Sequence, residues 1–247
     1  MKKEILQHAV ETGQYPRYIY RYMPINNQTI LALKEHYLWF SSFASFNDPY
    51  EGKIRVSKNY TKEDLIAFFT SREHMMTEED KAELLANPNA FIEKGMCLAR
   101  EGIKICCFST ICDNLLMWAH YADKHKGICL QFDITEDNSN ALDSLMHVQY
   151  TNVNYSFNYI HNSDGYIRKL VCTKALDWAY EKEIRVSKPI MEGNKCYYNP
   201  RMLKSVILGC KSEAKDIEMI KQILPEWVEL KQCVLNDYAF KIDIKDL

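Results

Sequence analysis

Glu181 and Glu183 stand two residues apart in the run Trp178-Ala179-Tyr180-Glu181-Lys182-Glu183-Ile184-Arg185. In a turn that leads into a strand, Glu181, Glu183 and Arg185 point the same way, with Trp178 and Tyr180 accompanying them. Such a row is the pattern of a salt-bridged exposed face. It is equally the pattern in which two carboxylates orient a sugar hydroxyl and stabilise a cationic sugar centre, as oxocarbenium chemistry requires.

Two further segments set polar groups among aromatics. Phe40-Ser41-Ser42-Phe43-Ala44-Ser45-Phe46-Asn47-Asp48-Pro49-Tyr50-Glu51 follows a strand-like run. Asn-Asp-Pro is turn chemistry, because Asx side chains bond the local backbone and Pro fixes φ. The loop is either simply rigid or presents Asn47, Asp48 and Glu51 at a strand end, where sites often lie. The segment from Cys107 to Gly127 carries Ser109, Trp118, His120, Tyr121 and His125. At about 100° per residue Trp118, Tyr121, Ala122 and His125 share one helix face and His120 points nearly the opposite way. Trp118 and Tyr121 are either packing aromatics or ligand-stacking ones. Cys107, Cys112, His120 and His125 match no compact Cys/His spacing, and no metal site is expected.

The elements that must position these residues follow from periodicity. Residues 15–23 alternate at strand period, Thr29–Glu35 reads as a short helix, and residues 37–42 as a second strand running into the Asn-Asp-Pro loop. Residues 61–102 carry helix starts at Thr61 with Asp64, at Thr77 to Asp80 and at Pro88, and read as a helical insert. A buried strand at Ile103–Ser109 leads to a helix with Asp113 as N-cap that closes near Gly127, then to a strand at Ile128–Asp133. Residues 135–165, rich in Asn, Asp and Ser, predict a long irregular region before a helix ending at Thr173. Strands at Glu183–Ser187 and Ser205–Leu208, a helix over Ser212–Leu224, and strands at Trp227–Val234 and Tyr238–Ile244 complete the reading. With no repeat and no Gly/Ser linker, residues 1–247 are expected to form a single α+β domain. Its core is a mixed, mostly antiparallel sheet, and the helical insert falls at about 61–102.

Composition is that of an ordinary globular chain, 47% hydrophobic and 26% charged. Thirty-one Lys and Arg against 33 Asp and Glu give a net charge of −2, so no global positive field indicates a nucleic-acid or membrane partner. The N-terminal residues lack a signal-peptide core and no apolar run approaches the ~20 residues of a spanning helix, so a cytoplasmic location is expected. The nine cysteines are then expected to be reduced and mostly structural.

Taken together these segments resemble the bacterial family catalogued as domain of unknown function 2971. The resemblance rests on Tyr20-Arg21-Tyr22, Trp39-Phe40-Ser41-Ser42, Phe46-Asn47-Asp48-Pro49-Tyr50-Glu51, Cys107-Phe108-Ser109, Leu116 to Ala122 with Gly127, Trp178 to Arg185, and Val206-Ile207-Leu208-Gly209. It covers roughly residues 18–240 and implies positions without a reaction. A second, analogical resemblance is to ADP-ribosyltransferases. An aromatic-flanked Arg on the first strand, a strand ending Phe-Ser-Thr and a late Glu-x-Glu are similar to their Arg, Ser-Thr-Ser and Glu-x-Glu arrangement. That resemblance implies a triad of Arg21, Ser109 and Glu183, with Glu181 orienting the acceptor. The match departs at Ile111, which stands where the third serine-motif residue belongs, and Ser41-Ser42 competes with Ser109-Thr110 for the same role.

The resulting expectation is an enzyme acting on NAD or another nucleotide, an ADP-ribosyltransferase-like effector in toxin or phage-defence contexts. Arg21, Ser109, Glu181 and Glu183 are its catalytic residues, and Tyr20, Asn47, Asp48, Trp118, His120 and Tyr121 line its ligand site. NAD is then a substrate and no cofactor is tightly bound. Glu183→Gln is expected to abolish NAD consumption with the fold intact. Two alternatives stay open: a non-catalytic sensor holding a nucleotide or peptide, and a hydrolase or nuclease using Asp48, Glu51, His120 and Glu181.

Overall fold

The computed structural model describes residues 3–57, 59–154, 156–162 and 165–247. The chain begins with α1 (Lys3–Glu11), β1 (Tyr18–Met23), α2 (Asn27–Glu35), β2 (Tyr37–Trp39) and β3 (Arg55–Val56). Three helices follow, α3 (Lys62–Arg72), α4 (Glu78–Ala86) and α5 (Pro88–Glu101), and then β4 (Ile103–Ser109), α6 (Leu115–Tyr121) and β5 (Ile128–Asp133). Next come β6 (Met146–His147), β7 (Gln149–Thr151), β8 (Ser156–Phe157), α7 (Tyr166–Cys172), β9 (Thr173–Ala175), β10 (Glu183–Pro189) and β11 (Lys195–Tyr197). The chain closes with β12 (Leu203–Leu208), α8 (Ala214–Ile223), β13 (Glu229–Leu235) and β14 (Ile242–Asp246).

Eight strands form one sheet in the order β14-β13-β12-β5-β1-β4-β10-β6. Every neighbouring pair is antiparallel except β12 with β13, which makes the α+β architecture with a mixed, mostly antiparallel sheet. Cys106, Phe108, Ile19, Phe132 and Val186 face one side and pack with Leu6 of α1, Leu33 of α2 and Ile220 of α8. The other side carries two separate clusters. One joins Ile105 to Phe68, Leu84, Ile92 and Leu170 from α3, α4, α5 and α7; the other joins Tyr22, Cys129 and Ile207 to Trp118 of α6. Burial of each such side chain contributes roughly 1.5–3 kcal/mol. Among the described residues no helix is long and apolar enough to cross a membrane.

Local signals fix the helix starts. Thr61 and Asp64 exchange hydrogen bonds at the head of α3, and Thr77 and Asp80 do so at the head of α4. Pro88 opens α5 behind the Asn87 cap. Elsewhere the outcome differs from the sequence reading. The helix expected from Asp113 to near Gly127 is capped by Asn114 and ends at Tyr121. Asp123, Lys124 and His125 then take left-handed φ values of 45°, 55° and 72°. This turn forms because Gly127 and Gly209 let backbones meet. A Cβ on Gly209 would lie 2.0 Å from the His125 carbonyl oxygen, and one on Gly127 2.2 Å from that of Met23. The irregular stretch 135–165 contains β6, β7 and β8, the last strand starts at Ile242 instead of Tyr238, and α1 carries no expectation from sequence. All nine cysteines are free thiols, five of them buried.

Candidate functional site

Between the two clusters on the second side of the sheet lies a cavity of about 300 Å³. Its base is the edge shared by β1 and β4, from Tyr20, Arg21, Tyr22, Ile105, Cys107 and Ser109. The Asn-Asp-Pro loop supplies Phe46, Asn47, Asp48 and Glu51, α6 supplies Met117 and Tyr121, and the segment from Lys174 to Arg185 supplies the remaining wall.

One wall is a buried ionic cluster. Arg185, fully buried on β10, donates from Nε and Nη2 to the two oxygens of Glu183 at 2.9 Å each. Its Nη1 donates to Glu51 Oε1 at 2.5 Å and to the Val171 carbonyl at 2.6 Å. Lys174, on β9, reaches Glu181 Oε2 at 2.5 Å, Glu183 Oε2 at 3.2 Å and Glu51 Oε2 at 3.8 Å, with its ammonium 5.0 Å from the centre of the Trp178 ring. Tyr121 donates its hydroxyl to Glu181 Oε1 at 2.5 Å. Parity explains part of this assembly: Glu183 and Arg185 alternate to the same face of β10, whereas Glu181 closes a 3₁₀ turn over Leu176–Glu181 and Lys182 turns left-handed at φ 47°.

Burial opposes ionisation throughout the cluster and the partners decide the outcome. Burial pushes Glu183 up, but Arg185 and Lys174 outweigh it and hold the carboxyl at about 2. Burial also raises Glu181; the Glu183 charge adds to it, and Lys174 and Tyr121 offset this incompletely, so its pKa is raised. Burial lowers Lys174, and Glu183 and Glu181 reverse that to a net rise. Burial lifts the Cys107 thiol well above its ordinary value, with the neighbouring Glu183 charge acting in the same direction.

Of the residues expected at a site, Tyr20, Arg21, Asn47, Asp48, Ser109, Tyr121, Glu181 and Glu183 border this cavity. Trp118 and His120 do not. Trp118 is 0% exposed and donates its indole N–H to the Cys112 carbonyl within the α6 cluster. His120 is exposed, its ring tilted against Tyr180. Nor does the cavity join Arg21 to Ser109 and Glu183 as a triad. Tyr20 pairs with Ser109 and Ser109 with Glu183, so those three share one face, and Arg21 is one residue out of phase. Its guanidinium donates to Cys106 Sγ and, at 3.0 Å, to the Trp39 carbonyl, and lies over Phe108. These belong to the opposite side, so Arg21 closes the floor of the cavity. The Ser109 hydroxyl is already used: it donates to the Glu181 carbonyl at 2.6 Å and accepts from the Ile111 N–H at 3.2 Å.

Asp48 has a different standing. It is 7% exposed, and its Oδ1 accepts from the Tyr50 N–H at 2.8 Å in an Asx turn. Its buried Oδ2 has no hydrogen-bond partner among the described residues, an arrangement that a ligand donor would complete. Glu51 is expected from sequence only as a residue of the loop and of the hydrolase alternative, Cys107 only as a member of a rejected metal set, and Lys174 carries no expectation from sequence. The one available signal for Lys174 is a lone lysine between the apolar runs Leu170-Val171-Cys172 and Ala175-Leu176. Among the described residues no group of three or more His, Cys, Asp or Glu side chains is placed to hold a metal.

The sequence model of the family described as protein of unknown function (DUF2971) matches residues 117–186. That stretch supplies Tyr121, Lys174, Trp178, Glu181, Glu183 and Arg185 to the cavity. No curated protein and no solved structure matches the chain.

Proposed function

With membership of the DUF2971 family supported by that match, we propose that the cavity receives the ribosyl end of a nucleotide, NAD foremost, and that the chain is an enzyme acting on it through Glu181. The observation that carries this reading is a pair of carboxylates in one cavity whose environments drive them apart. Glu183 is clamped ionised by Arg185 and Lys174, and Glu181 has its pKa raised. Groups separated in this way divide the labour of a proton acceptor and a fixed negative charge.

Charge balance supports the same end of the ligand. Asp48, Glu51, Glu181 and Glu183 face Lys174 and Arg185 around the cavity, the Arg21 guanidinium being turned to the other side of the sheet. Four acids against two bases favour a cationic nicotinamide-ribosyl group, and the oxocarbenium charge that develops there, over a pyrophosphate. Phe46 and Trp178 offer flat walls for a ring. The roles differ from those of the transferase resemblance: as the C1′–N bond breaks and nicotinamide leaves neutral, Glu181 takes the proton of the water or acceptor hydroxyl that attacks C1′, Glu183 holds charge and structure, and Arg21 and the Ser109 hydroxyl serve the fold of the site.

Nicotinamide release from NAD, compared between the wild type and Glu181→Gln with circular dichroism as the folding control, tests the proposal. Turnover by the wild type that falls by about 100-fold or more in the variant is expected; equal turnover removes Glu181 from the chemistry. A second reading, binding without turnover, is favoured by the ion pairing itself, since Glu51, Glu181 and Glu183 all engage Lys174 or Arg185. Saturable NAD binding with no nicotinamide released would establish that alternative.

A further inference from the structure

The sheet is open at the base of the cavity. β1 and β4 share only the pair Tyr20 with Ser109. Four residues back along β4, Ile105 exchanges both of its backbone hydrogen bonds with Ser41, at 2.8 and 2.9 Å. Backbone groups of a strand point to alternate edges with a period of two. Ile105 therefore fixes the direction of Cys107, whose N–H and C=O face the same edge, midway between the two pairs. Ser109 obeys the same parity, because its other neighbour, Glu183, turns its own backbone the other way, accepting from the Val148 N–H and donating to the Tyr150 hydroxyl. Across the opening, Tyr22 stands two residues beyond Tyr20 and faces its backbone N–H and C=O toward Cys107. In a continuous ladder these two residues would pair; here the cavity lies between them, with both on its lining.

We propose that this gap is a recognition slot for a planar amide edge, a carbonyl acceptor and an adjacent N–H donor on one ring or ring substituent. The inference rests on the reading of the cavity as a nucleotide site and names what it selects. The ligand carbonyl accepts from the Cys107 N–H and its N–H donates to the Cys107 carbonyl, with the Tyr22 groups available to a second edge. Asp48 Oδ2, buried on the same cavity and without a hydrogen-bond partner among the described residues, accepts a further donor. A peptide strand does not fit, because the Tyr20–Ser109 and Ser41–Ile105 pairs close the gap at both ends; a small flat group enters from the face. Two chemical sources carry such an edge, a pyridine carboxamide and a nucleobase lactam.

Amide and carbonyl resonances of the isotope-labelled full chain, titrated separately with nicotinamide and with uridine, test the slot. At least one probe is expected to shift the Cys107 and Tyr22 amide protons, and the probe that does so identifies the source. A ligand methylated on its amide nitrogen, N,N-dimethylnicotinamide or 3-methyluridine to match the responding probe, is expected to bind about tenfold more weakly or worse, because the Cys107 carbonyl then stays unpaired. Binding that leaves both amides unmoved, equal affinity for the methylated ligand, or no binding by either probe overturns the proposal. The two readings fail separately. NAD turnover lost in Glu181→Gln with silent Cys107 and Tyr22 amides removes the slot and keeps the catalytic reading; responsive amides without turnover do the reverse.

Discussion

Glu181 and Glu183 hold the same ammonium, that of Lys174, at 2.5 and 3.2 Å, yet their pKa values move in opposite directions, Glu181 up and Glu183 down. The difference lies in Arg185, which grips Glu183 through two parallel N–H···O bonds while Glu181 has the neutral hydroxyl of Tyr121 in that place. Two carboxylates of the same type thus acquire separate tasks from their second partner.

Replacing Glu183 by Gln is therefore expected to cost about 3–5 kcal/mol of stability, since it leaves the fully buried Arg185 short of its bidentate partner. Denaturant unfolding of the variant reads this directly. The sequence reading expected Glu183→Gln to leave the fold intact, and the buried pair reverses that expectation. A loss below about 1 kcal/mol, the range of exposed ion pairs, would show that the pairing is not structural.

Glu181→Gln is expected to behave otherwise. Lys174 keeps Glu183 and Glu51, and the amide oxygen can still accept from Lys174 while its N–H donates to the Tyr121 hydroxyl oxygen, so stability should stay within about 1 kcal/mol of the wild type. Nicotinamide release should nonetheless be lost. Comparing melting temperature with turnover in the two variants separates the two roles.

Acid sensitivity follows from Glu183. Its folded pKa of about 2 lies below the ordinary 4.5, so its contribution is fully present above about 4.5 and disappears as pH falls toward 2. Glu181, raised in the folded state, has the opposite sign: its contribution is present below its ordinary value and is lost as pH rises through the folded one. Melting temperature measured from pH 6 to 2 should drop steeply below about 4.5 in the wild type, and that acid limb should flatten in Glu183→Gln.

Gly209→Ala should destabilise by about 1–3 kcal/mol or more, because the new Cβ meets the His125 carbonyl at 2.0 Å and backbone must move. Asp48→Ala should cost only about 1 kcal/mol for the lost Tyr50 bond but should weaken ligand binding. Calorimetric unfolding checks both variants, and titration with NAD checks the second. Unchanged affinity in Asp48→Ala would mean that the ligand does not use the free oxygen.

Sequence alone determined those features whose causes are local. The Thr61–Asp64 and Thr77–Asp80 caps span three residues and close within one turn, so spacing suffices to find them. The apolar runs of β4 and β5 mark strands buried on both faces, and the Glu-x-Glu followed by Arg185 announced an acid–base row. Tertiary structure decided the rest. Which face Arg21 serves depends on the register of β1 against β4, and one residue of phase sends it to the floor instead of beside Ser109. Trp118 and Tyr121, three residues apart on α6, are separated by packing: one fills a core and the other reaches Glu181. Lys174, Glu51 and Arg185 meet only because a loop, a short strand and a sheet strand converge, and no periodicity within any one of them encodes the other two.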